Sequence, residues 1–138
     1  METLLVRDLM TRDVVAVGPA ESLATLRDVM LAQRVRHMPV VDPAGRLIGL
    51  VSQRDLLRNQ LVEQAATPDA VERAVLERLA VSDLMGTSLV WAEPDDDIRD
   101  AAQRMLDHQY GCLPVVEEGR LVGILTESDF VRLFARGQ

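Results

Sequence analysis

Apolar positions follow two rhythms along this chain, and the same order of rhythms is written twice. Short β-rich runs come first, VVAV at 14–17 and LVWA at 89–92, each read as a strand. A stripe with helical spacing follows. It runs through Leu23, Leu26, Val29, Met30 and Ala32 in one copy, and through Ile98, Ala101, Ala102, Met105 and Leu106 in the other. Pro19 and Pro94 stand ahead of these stripes and are expected to open the helices, with Asp95, Asp96 and Asp97 favouring the positive N-terminal end of the second. MPVV and LPVV predict a second strand, DPAG and EEG turns, and RLIGLV and RLVGIL a third strand apolar enough to be buried. DLLRNQLV and DFVRLFA begin a closing helix, and a DLM segment leads each copy as a short helix. The predicted fold class is α+β: two β-α-β-β-α repeats packed with pseudo-two-fold symmetry into one module.

The copies align from Val6 and from Val81 with a single one-residue gap near Ala44. Their landmarks recur in order, which makes the duplication the organising fact of the chain. The expected division is a first repeat over 1–60, a connecting helix over 61–80 and a second repeat over 81–138. In TPDAVERAVLERLA, Thr67 is the expected N-cap and Pro68 the first helical residue. One repeat alone is too small to be comfortably stable, so the two are expected to pack together.

Composition narrows the function classes. Hydrophobic residues make up 48% of the 138 positions, enough for a core, but aromatics only 3%. That argues against stacking surfaces for single-stranded nucleic acid. The net charge of −7, without a basic run, disfavours duplex nucleic acid as a partner. A single cysteine, Cys112, excludes an internal disulfide and fits a reducing cytoplasm; it reads as a small buried residue. METLLVRDLM lacks the pattern of a signal peptide, and no apolar run approaches a membrane span, so no membrane partner is expected. There is no H-E-x-x-H, C-x-x-C or G-x-S-x-G, and no lysine at all. Two histidines and one cysteine do not make a zinc cage. No metal and no catalysis are expected.

The most specific repeated words are RLIGLVSQRD (46–55) and RLVGILTESD (120–129). Ser52 to Asp55 and Thr126 to Asp129 have the spacing of a capping box, in which hydroxyl and acid satisfy the first N–H groups of a helix. The same groups have ligand chemistry, since a carboxylate accepts both hydroxyls of a ribose diol and a hydroxyl donates to phosphate. Spacing alone leaves both readings open.

With DLM, H-M-P-V-V-D, C-L-P-V-V, G-x-x-S-x-x-D and G-x-x-T-x-x-D in order, the chain resembles a tandem pair of cystathionine-β-synthase (CBS) domains from about Val6 to Arg132. The resemblance implies a regulatory module with two symmetry-related clefts between the repeats. These would take an adenosine-containing ligand: AMP, ADP or ATP, with S-adenosylmethionine or NAD as further options. It also implies a homodimer and a regulated partner protein. By resemblance, Asp55 and Asp129 hold ribose, and Ser52 and Thr126 hold phosphate. Arg54 and its counterpart Ser128 occupy a position that faces phosphate, as do the basic Arg36 and His37. The adenine slot of the Asp55 cleft falls to Thr87, Leu89, Val90, Tyr110 and Gly111. That of the Asp129 cleft falls to Thr11, Val14, Val15 and Val35. The plain alternatives are a solvated Arg54, a structural histidine at His37 or His108, and core roles for the valines and leucines. The second copy carries Gly111, Cys112 and Glu127 where the first carries Arg36, His37 and Gln53, so a phosphorylated ligand is expected to prefer the Asp55 cleft. A dimerisation scaffold with vestigial clefts is the competing expectation, and a nucleotide hydrolase a distant third.

Overall fold

A computed structural model describes residues 3–58 and 69–137. The elements are α1 (Val6–Leu9), α2 (Leu23–Gln33), β1 (His37–Val41), β2 (Leu47–Ser52), α3 (Gln53–Arg58), α4 (Asp69–Arg78), a 3₁₀ turn (Val81–Asp83), α5 (Ile98–His108), β3 (Cys112–Glu117), β4 (Arg120–Thr126) and α6 (Glu127–Ala135). Mixed helix and strand, with one antiparallel hairpin per repeat, gives the α+β class.

The run expected as a first strand is reduced to one bridging residue in each repeat. Val17 bridges Val40 and Ala92 bridges Val115, both parallel. Val17 N–H donates to Pro39 O and accepts at its carbonyl from Val41 N–H; Ala92 does the same with Pro114 and Val116. The next donors of such a ladder would be Pro39 and Pro19 in one repeat, and Pro114 and Pro94 in the other. None of these has an N–H, so the ladder stops after one residue on both sides.

Pro19 and Pro94 do not open the helices. They stand in the turn before, and their carbonyls accept from Ser82 N–H and Arg7 N–H, both at 2.9 Å. The helices start behind true N-caps, Ser22 accepting from Thr25 N–H at 3.1 Å and Asp97 from Arg99 N–H at 2.8 Å. Both end on left-handed residues, Arg34 and Gln109. Each helix buries a narrower face than its apolar stripe. Leu23, Leu26 and Met30 are buried, as are Ile98, Ala101 and Met105, but Ala32 and Leu106 face outward. Leu106 lies one residue, about 100° of helix, beyond Met105. The one-residue gap between the copies falls in the hairpin turns. In the first, Asp42 Oδ1 accepts from Ala44 and Arg46 N–H, both at 2.9 Å. The second is a two-residue turn at Glu118 and Gly119, both with positive φ.

Two compact units result, and they cut across the repeats. One holds residues 3–14 with 90–137; the other holds 15–58 with 69–89. The leading segment of each repeat therefore packs with the hairpin of the other. In the first unit Thr11 bridges Ile124, and Met10 lies over Gly123. In the second, Gly86 bridges Leu50 and Met85 lies over Gly49. A Cβ on either glycine would fall within 2.6 Å of a methionine sulfur, which is why the third strand of each copy carries a glycine facing each DLM methionine. Val6 is buried with Leu113 and Leu125, and Val81 with Leu26 and Val51. Helix α4 joins the second unit through buried Leu76 and through Arg73, which pairs with Asp28 of α2. Thr67 and Pro68 lie outside the described residues.

Candidate functional site

Each hairpin ends in the repeated motif and runs directly into its closing helix. In the 15–89 unit the register sets His37 opposite Ser52, and the Arg36 carbonyl accepts from Gln53 N–H at 2.8 Å. This gathers Arg36, His37, Ser52, Arg54 and Asp55 at one end of one hairpin. Both halves of the capping box are made. Asp55 Oδ2 accepts from Ser52 N–H at 2.7 Å, and Ser52 Oγ accepts from Asp55 N–H at 3.1 Å. Asp55, Ser52 and His37 are half-buried, whereas Arg36 and Arg54 are exposed. The Leu50–Gly86 bridge brings the 86–89 segment alongside β2, with Thr87 exposed and Leu89 half-buried.

The 90–137 hairpin repeats this frame with different chemistry. Cys112 stands opposite Thr126, and the Gly111 carbonyl accepts from Glu127 N–H at 3.2 Å. Asp129 Oδ2 accepts from Thr126 N–H at 2.8 Å and from the Thr126 hydroxyl at 3.2 Å. Its other oxygen, Oδ1, accepts from the Thr11 hydroxyl at 3.4 Å and from the Arg132 guanidinium. Asp129 is only 3% exposed, the one buried charged side chain among the described residues, and its burial is compensated by these partners. Ser128 is exposed, and Cys112 is buried, with its thiol pushed up to about 12 by loss of solvent. A thiol so held is no nucleophile at neutral pH.

The remaining residues named from the sequence separate by unit. Thr11 and Val14 share a unit with Asp129, and Thr87 and Leu89 share one with Asp55. Val90, Tyr110 and Gly111 belong to the unit of Asp129, and Val15 and Val35 to that of Asp55. Val15, Val35 and Val90 pack at the margins of their own cores. Tyr110 stacks on the His108 ring at 5.5 Å. Arg132 was missed from sequence, although its spacing of three from Asp129 on a helix is a pairing signal. With Arg136, Asp8 and the leucines Leu4, Leu9 and Leu133, Arg132 and Asp129 line a cavity of about 150 Å³ between α1 and α6. No helix among the described residues is long and apolar enough to cross a membrane.

Comparison with known proteins bears on this frame. Among protein-family models, the CBS domain matches twice, at residues 6–61 and 81–136. CBS domain-containing protein YhcV of Bacillus subtilis is 32% identical over 90% of this chain and 81% of its own length. An acetoin utilization protein, AcuB, of Vibrio cholerae superposes with a TM-score of 0.82 at 33% identity, covering 98% of this chain and 93% of its own. CBSX2, whose structure was determined in complex with AMP, has a TM-score of 0.79 at 28% identity, covering 96% of each chain. Other relatives are longer. The chain spans 42% of a Methanocaldococcus jannaschii protein at 30% identity, and 24% of a homoserine O-acetyltransferase of Methanococcoides burtonii at 32%.

Proposed function

The chain belongs to the CBS-domain family, and from that premise we propose that it is a non-catalytic regulatory module that binds an adenosine-containing nucleotide through its repeated hydroxyl-x-x-Asp motif. The observation that carries this is the end of the first hairpin. There one register gathers a carboxylate, a hydroxyl and three basic side chains: Asp55, Ser52, Arg36, His37 and Arg54. A diol and a phosphate need that set of partners, with arginine giving charge-assisted bonds to phosphate oxygens. AMP in the structure of CBSX2 supports the ligand class. ADP, ATP, S-adenosylmethionine and NAD share the adenosine part.

A nucleotide held there biases one arrangement of the protein over another by its differential affinity, and a regulated partner protein reads that difference. Self-association of two copies fits the apolar side chains left outward, Leu31 at 66% and Leu106 at 72% exposed, which occupy matched positions of the two repeats. Location in the cytoplasm is part of the same reading.

A second reading has its own support. Asp55 and Asp129 already cap helices, so a structural role would explain both. Thermal-shift screening with these five adenosine compounds, followed by calorimetry, separates the two. Binding that Asp55→Asn weakens about tenfold or more supports the sensor. No shift with any of them leaves the scaffold. Arg54→Ala is expected to weaken a phosphorylated ligand several-fold and to leave adenosine untouched.

A further inference from the structure

We propose that the two motifs divide adenosine compounds by charge. The Asp55 motif takes a phosphorylated one, and the Asp129 motif takes one whose sugar carries no phosphate or other anion. Gln53 and Arg54 against Glu127 and Ser128 set the difference. The inference rests on the nucleotide reading above and deepens it by giving each motif its own ligand class.

The acids themselves do not separate the motifs. Asp55 and Asp129 each accept from the backbone N–H of the hydroxyl residue that opens the motif. An arginine follows each at the same spacing, Arg58 and Arg132. What differs is the charge around this shared frame, and the strand register fixes which residues belong to it. His37 stands opposite Ser52 as Cys112 stands opposite Thr126. Gln53 N–H reaches the Arg36 carbonyl as Glu127 N–H reaches that of Gly111. Position by position, Arg36 answers to Gly111, His37 to Cys112, Gln53 to Glu127 and Arg54 to Ser128. The first set carries the guanidiniums of Arg36 and Arg54, both exposed and open to a ligand. The second set carries no cation and adds the exposed carboxylate of Glu127. Arg136 stands at the opposite end of α6 from Glu127.

A ribose held by its diol keeps the group on its exocyclic carbon within a few ångströms of the same carboxylate, so these neighbours meet that group. At the first motif a phosphate gains charge-assisted bonds from the arginines. At the second it meets a carboxylate, and like charges disfavour it. A neutral or cationic group there meets no such repulsion.

The test uses the full chain with AMP and adenosine as probes, read by calorimetry. Asp129→Asn leaves the first motif's acid intact, and Asp55→Asn leaves the second's. The chain that keeps Asp55 is expected to prefer AMP over adenosine about tenfold or more. The chain that keeps Asp129 should bind adenosine at least as tightly as AMP. Added salt should shrink the first preference, because exposed charges are screened. The residue pairs are then exchanged. Gln53→Glu with Arg54→Ser, in the chain that keeps Asp55, should lower the preference for AMP about tenfold. Glu127→Gln with Ser128→Arg, in the chain that keeps Asp129, should raise it by a similar factor. Each introduced residue already opens the closing helix of the other repeat, and melting curves check that the exchanged chains stay folded. Equal preferences at the two motifs overturn the inference. So does an exchange that leaves the preference unmoved in a folded chain, and so does an Asp129 motif that binds neither probe. In all three cases a wild-type chain that still binds AMP through Asp55 keeps the nucleotide reading. A wild-type chain that binds neither probe defeats both together.

Discussion

Gly49 and Gly123 occupy matched positions in β2 and β4, yet they are not equally replaceable. At Gly49 the three atoms nearest to an added Cβ all belong to the Met85 side chain, the sulfur at 2.5 Å, Cγ at 2.9 Å and Cβ at 3.1 Å. At Gly123 it meets Met10 and also the Thr11 carbonyl oxygen at 3.0 Å, which is held by its bond from Ile124 N–H. A methionine can swing aside; a bridged backbone carbonyl cannot. Gly123→Ala is therefore expected to cost about 1–3 kcal/mol and Gly49→Ala distinctly less, read from urea midpoints. Equal losses would mean that the methionine contacts, not the backbone, set the cost. At Cys112, burial holds the thiol protonated until about pH 12. Alkylation at pH 8 should proceed only at the rate of opening, and a labelling rate equal to that of unfolded chain would contradict the packed site. Its buried place was legible in sequence. The Thr11 contact to Asp129 was not, because the two residues lie 118 positions apart.

At the scale of elements, caps decide where the helices begin. Asp97→Ala should destabilise its unit by about 0.5–2 kcal/mol, since Arg99 N–H loses its acceptor. A substitution at neighbouring Asp100, which is not the cap, serves as the control. Between α2 and α4, the Arg73 hydrogen bond and charge draw the Asp28 carboxyl below its ordinary 3.8. The folded value lies under the unfolded one, so this pair contributes above the unfolded value and its contribution fades as pH falls through the lowered folded value. Asp28 and Arg73 are both well exposed, so the effect is on titration more than on stability. Arg73→Gln should return Asp28 toward 3.8 by carbon-detected NMR titration; no movement would remove Arg73 as the cause. The helices and hairpins themselves were readable from periodicity and turn residues. The first strands were over-read, because Pro19, Pro39, Pro94 and Pro114 withhold the very N–H groups that would extend each ladder.

For the whole molecule, the outward apolar side chains carry the prediction. Phe134 is 87% exposed and Val131 66%, on the closing helix, with Leu106 on α5 in the same unit. Exposed apolar groups of this kind mark contact surfaces when they cluster. Leu106→Glu combined with Phe134→Glu is expected to lower the sedimentation mass of a self-associating chain while its circular dichroism stays unchanged. A wild-type chain that sediments as a monomer at high concentration would count against self-association.

The sequence by itself determined the duplication, the order of elements in each repeat, the capping motif and the family to which the chain belongs. Those follow from local chemistry: periodicity, turn residues and spacing within about ten positions. Only the tertiary structure decided which leading segment serves which hairpin. Val6 and Met10 of the first repeat complete the core of the second, while Val81 and Met85 serve the first. Nothing local separates that exchange from each repeat folding on its own segment, because the DLM words are alike. The same exchange carries Thr11 to Asp129 and Gly86 to Leu50, and so makes two motifs that read alike in sequence differ in what surrounds their aspartates.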